Sequence, residues 1–71
     1  MNPQENFGKR IKYYRTQKGF SQEELAFKAG LDRTYIASVE NGKRNVSIQT
    51  IKKFLDALEL TFSEFFRDFA E

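Results

Sequence analysis

Five short runs in this chain each open on a helix-start signal, and that punctuation restricts its fold more than any other feature. Ser21 is followed three residues on by Glu24, the spacing of a capping box in which each side chain bonds the other residue's backbone N–H. Thr61 and Glu64 repeat it. Asp32 and Ser47 supply short oxygen-bearing side chains where a helix would begin, and Asn2 precedes a proline at a first helical position. Apolar residues flank four of these starts in staple pairs: Phe20 with Leu25, Leu31 with Ile36, Val46 with Ile51, and Leu60 with Phe65. The stops agree, because Gly19, Gly30 and Gly42 stand where a left-handed C-terminal cap is expected. The signals predict helices at about 3–18, 22–29, 33–41, 48–59 and 62–69. Without strand-like alternation, linker or repeat, the expectation is a compact, all-α, five-helix domain spanning residues 1–71.

Periodicity names the core. Phe7, Ile11 and Tyr14 share one face of the first helix, and Leu25, Ala26 and Ala29 form a mostly small face on the second. Ile36 and Val39 lie three apart on the third; Ile51, Phe54, Leu55 and Leu58 make a wide stripe on the fourth. The small residues of the second helix allow close approach, as a tight helix–turn–helix corner at Gly30 would need.

Composition excludes several chemistries. The 71 residues include no cysteine and no histidine, which removes disulfides, thiolate chemistry and histidine-based metal or acid–base sites. Glu23 and Glu24 are helix-start residues with no nucleophile or phosphate-binding glycine loop beside them, so no enzyme, metal or cofactor is expected. No apolar run approaches the roughly 20 residues of a membrane span, and the opening MNPQENFGKR lacks an apolar signal segment. A cytoplasmic protein is expected. The net charge of +2 is unevenly spread: residues 1–45 hold nine Lys/Arg against five acids, residues 46–71 three against five. A basic front and an acidic back suit a polyanion on one side, or reflect ordinary surface scatter.

The run GLDRTYIASVENG, residues 30–42, is more telling. At 100° per residue Ile36 and Val39 point one way, flanked by Tyr35 and Glu40. Thr34, Ala37, Ser38 and Asn41 point the other, with Arg33 at the border. A solvated helix face usually carries Lys and Glu in number. Short side chains instead let a helix sink into a groove. Hydroxyls such as those of Thr34 and Ser38 can bond base edges, and Arg33 is long enough for a bidentate contact with guanine. Ser21-Gln22 at the preceding helix start offers free N–H groups and an amide to a phosphate, and Lys43-Arg44-Asn45 form a basic loop past Gly42.

The stretch 21–42, SQEELAFKAGLDRTYIASVENG, resembles the helix–turn–helix of phage-repressor-like (Cro/C1, XRE-type) transcription regulators. Ser21, Gln22, Leu25, Ala26, Ala29, Gly30, Leu31, Ile36, Val39, Glu40 and Gly42 match that pattern, and the likeness extends over about residues 7–66. The resemblance implies a lambda-repressor-like fold, control of transcription, and binding as a homodimer to a palindromic or pseudo-palindromic operator in double-stranded DNA. LDRTYI followed by GKRN is similar to the controller proteins of restriction–modification systems. That narrower resemblance implies groove contacts from Arg33 and Thr34, and backbone contacts from Tyr35, Arg44, Asn45 and Ser47. Ala37-Ser38 departs from the Ser-Gly often found there. The family also implies an ion pair between Arg15 and Glu40. Phage or plasmid repressors, and antitoxins whose main partner is another protein, share the motif.

Phe62, Phe65, Phe66 and Phe69 recur along the last predicted helix. Either all four cap the core, or some form a two-fold dimer contact, the second being expected because four rings exceed what so small a domain can bury. Phe27 projects away from Leu25, and the sequence offers no role for it.

Overall fold

The computed structural model describes residues 2–69 and forms five helices: α1 (Pro3–Gln17), α2 (Gln22–Ala29), α3 (Arg33–Glu40), α4 (Ile48–Leu58) and α5 (Phe62–Phe65). Four of the five start signals close as side-chain caps. The Ser21–Glu24 and Thr61–Glu64 boxes are reciprocal, Ser47 accepts from the Thr50 N–H, and Asn2 forms an additional box with Glu5. Asp32 is the exception. Its backbone is extended as an N-cap requires, but its carboxylate makes no cap hydrogen bond. All three stop glycines adopt positive φ, between +68° and +75°. At the end of α4 the same left-handed turn is made by Glu59, at φ +59°, where no glycine advertised it.

The predicted fifth helix, 62–69, is cut to four residues. Phe66 leaves helical geometry, and Asp68 takes a left-handed φ of +58°. This turn folds the tail back on the domain. Within α5 itself Phe65 is fully buried, its ring 5.3 Å from Phe7 and 5.7 Å from Tyr14, centroid to centroid. Phe66 and Phe69 lie half-buried over the same cluster, and Arg10 sits 5.5 Å above the Phe69 ring. Phe65 is therefore a core residue and cannot offer its ring to a partner. The core otherwise follows the periodicity: Phe7, Ile11, Leu25, Ala26, Ala29, Ile36, Val39, Phe54, Leu55 and Leu58 are buried, with Tyr14 and Ile51 half-buried at its edge.

Gly8 decides how α1 and α3 meet. A Cβ there would stand 2.1 Å from the Val39 carbonyl oxygen, so α1 lies directly against the last turn of α3. Gly42 serves the same contact from the other side. It needs its φ of +74°, and a Cβ on it would come within 2.7 Å of Cγ of Glu5. Among the described residues no helix is long and apolar enough to cross a membrane.

Candidate nucleic-acid interface

The outward face of α3 is presented by a helix held from behind. Ile36 and Val39 are buried in the core, while Glu40 is clamped by two other elements. Arg15 of α1 donates from Nε to Glu40 Oε2 (2.6 Å) and from an end nitrogen to Oε1 (3.1 Å), a two-pronged pair. Its remaining end nitrogen donates to the Phe20 carbonyl (2.7 Å), tying in the α1–α2 turn. Gln22, at the start of α2, donates its amide to Glu40 Oε1 (3.1 Å). The Glu40 side chain is only 4 % exposed. A charge so enclosed is tolerable because each oxygen is bonded. Three helices and one turn thus converge on one carboxylate, and that carboxylate sets the direction of α3.

At the other end of α3 nothing holds the side chains. Arg33 and Thr34 are exposed, and neither makes a side-chain hydrogen bond among the described residues. Ala37 and Ser38 are half-buried on the same outward surface. Beyond it runs the loop of residues 41–47, where Lys43, Arg44 and Asn45 are exposed. The loop is tethered twice. Gln4 of α1 donates its amide to the Asn45 side-chain oxygen. Arg44 donates from Nε to Ser38 Oγ (3.3 Å), with its guanidinium 5.3 Å from the centre of the Tyr35 ring.

The structure brings most of the expected contact residues to one side of α3, with two qualifications. Gln22 points its amide inward to Glu40, so a phosphate would meet the backbone at the start of α2 more readily than this side chain. The Ser47 hydroxyl donates to Thr50 Oγ1 (3.1 Å) and accepts from the Thr50 N–H, so its proton is already engaged in the α4 cap. Two residues that sequence reasoning passed over also matter here: Gly8, which seats α3, and Gln4, which tethers the loop. A glycine inside an otherwise good helix was the visible signal for the first.

A helix–turn–helix family model matches residues 11–65, which includes α2, α3, α4 and α5 whole. The chain belongs to the helix–turn–helix family. Control protein C.MunI from Mycoplasma sp is 48% identical over 63 residues, covering 87% of this helix–turn–helix chain and 85% of that one. The crystal structure of the restriction–modification controller protein C.AhdI from Aeromonas hydrophila superposes with a TM-score of 0.83 at 50% identity, over 87% of this chain and 94% of that one. The controller protein C.Esp1396I, solved as a tetramer in complex with its natural 35 base-pair operator, gives 0.86 at 37% identity, over 92% and 86%. All three are control or controller proteins, and the two solved ones share this helical architecture.

Away from α3, Phe62 is 38% exposed and Ile48 70% exposed, and Phe62 stacks on Phe66 at 6.3 Å. Beside them a groove of about 200 Å³ runs between Pro3, Phe7, Ile51, Phe66 and Phe69. Phe27 stands almost fully exposed on α2, 88%, so the structure leaves it without a packing role.

Proposed function

We propose that this protein is a sequence-specific DNA-binding regulator of transcription, of the restriction–modification controller type, acting as a homodimer on a palindromic operator. The observation that carries the reading is the outward surface of α3: short, bare side chains on a helix whose opposite face is locked to α1 and α2. Such a surface enters a major groove without clash and without reorganising. Arg33 and Thr34, exposed at the N-terminal end, would reach base edges. Tyr35, Lys43, Arg44 and Asn45 form the rim that meets phosphates, with Gln22 and Ser47 marking the helix starts where the backbone would pass nearby. Binding of this kind would locate the protein with the DNA, in the cytoplasm.

The homodimer reading rests on the exposed Phe62 ring stacked on Phe66, with Phe69 packed against Phe66 at the edge of this apolar surface. Phe65 is not part of it. A two-fold axis there would present two copies of α3 about 34 Å apart, one turn of DNA. The deciding experiment is selection of duplexes from a random pool by the purified protein near physiological salt. Enrichment of a two-fold symmetric motif with half-sites one helical turn apart is the expected result. Salt-sensitive binding without enrichment would defeat the sequence-reading proposal.

A further inference from the structure

Arg44 does not extend into solvent as an arginine in a basic loop usually would. It folds back across the middle of α3, its guanidinium over the Tyr35 ring and its Nε donating to Ser38. Tyr35 and Ser38 are three residues apart, hence neighbours on one ridge of the helix, and both are half-buried on a helix clamped from behind. Arg44 is exposed, and its two end nitrogens donate no hydrogen bond among the described residues. An aromatic face under the guanidinium and one bond at its inner nitrogen fix the plane of the group and leave the outer fork open. That is the geometry of a preformed anion clamp. It also takes one of the two acceptor positions of the Ser38 oxygen and draws that hydroxyl toward the loop.

We propose that Ser38 is a positioning residue for Arg44 rather than a reader of bases: with Tyr35 it holds the Arg44 fork ready for a DNA phosphate. The inference rests on the reading that this face takes DNA. It makes Ser38 and Arg44 one unit, with a loss on DNA binding that is shared and independent of sequence. A loose arginine would have to be immobilised at binding, whereas one already stacked is largely in place.

The test is a titration series with the wild-type protein, Ser38→Ala, Arg44→Ala and the double variant. Each is titrated against the duplex enriched by selection and an unrelated duplex of equal length, over a range of salt. Arg44→Ala is expected to lose about tenfold on both duplexes and to lower the salt slope by about one. Ser38→Ala should lose about 3–10-fold on both, with an unchanged slope, because the phosphate contact still forms but from a mobile side chain. In the Arg44→Ala background, Ser38→Ala should add nothing. Ser38→Thr, which keeps the hydroxyl, should restore binding, and Arg44→Lys, which keeps the charge without the inner nitrogen, should resemble Ser38→Ala. A merely structural serine would produce none of this pattern. Losses that add, or a Ser38→Ala loss confined to the selected duplex, would overturn the inference while leaving DNA binding intact. Wild-type protein that binds neither duplex would overturn the DNA reading and this inference with it.

Discussion

The two ends of α3 are built oppositely. Its C-terminal end is gripped: Glu40 is bonded by Arg15 and Gln22, and the Val39 carbonyl lies against the bare Gly8 surface of α1. Its N-terminal end is open: the Asp32 carboxylate makes no cap bond, and Arg33 and Thr34 stand in solvent. Eight residues therefore divide into an aiming end and a reading end. A helix anchored at both ends could not adjust its first turn to a ligand, and one anchored at neither would lose entropy on docking. Holding one end keeps the direction fixed while leaving the long arginine free to find its partner.

That division is open to direct attack. The largest effect is expected at the grip. Arg15→Ala strands the enclosed Glu40 carboxylate and should destabilise the fold by about 3–5 kcal/mol. In a domain of this size that is a fall in melting temperature of more than about 10 °C. A thermal melt unchanged by the substitution would mean that α3 is not aimed from its C-terminal end. Next comes the seat. Gly8→Ala forces a methyl group into the Val39 carbonyl, and overpacking of this kind costs about 1–3 kcal/mol. Chemical denaturation of the variant should show a lower midpoint with an unchanged slope.

The open end should behave in the opposite way. Arg33→Ala is expected to leave the thermal melt unaltered while removing about 1–3 kcal/mol of discrimination at one or two base positions. Competition between the selected duplex and single-base variants reads this out. If the melt falls instead, the N-terminal end carries structural load and the contrast between the two ends dissolves.

The smallest effect lies far from α3, at the α5 cap, and serves as a control. The Thr61 backbone N–H, together with the Thr61 hydroxyl, holds the Glu64 carboxyl below the usual glutamate range. Because its folded-state value is depressed, the stability it adds is complete above the unfolded value and is lost as pH falls through the folded one. Glu64→Gln should therefore differ slightly from wild type in melting temperature at neutral pH, and the gap should narrow in acid.

Much of this architecture was legible from residue order because helix starts and stops are local events. Ser21 and Glu24 are close enough to bond in almost any context that begins a helix there, so the box was predictable and is present. Glu40 and Arg15 were expected as a pair only through family resemblance; the bond spans 25 residues and no local rule reaches that far. A separation of 18 residues hid the third member, Gln22, whose amide had been expected to face a phosphate. The fifth helix was overread for a related reason. Four phenylalanines at helical spacing look alike in one dimension, yet α5 turns Phe65 into the core and ends there, and Phe66 and Phe69 lie half-buried over the same cluster beyond it.

The amino-acid sequence by itself determined the number of helices, most of their caps, the apolar face of each and the bare character of the α3 surface. Each of those depends on residues within one or two turns of one another. Tertiary structure alone decided which phenylalanine is core, why residue 8 must lack a side chain, and where Arg44 rests. These outcomes depend on how closely two helices cross and on which groups far apart in the chain meet at the crossing. Packing at that density leaves room for one arrangement, and only the folded chain can specify it.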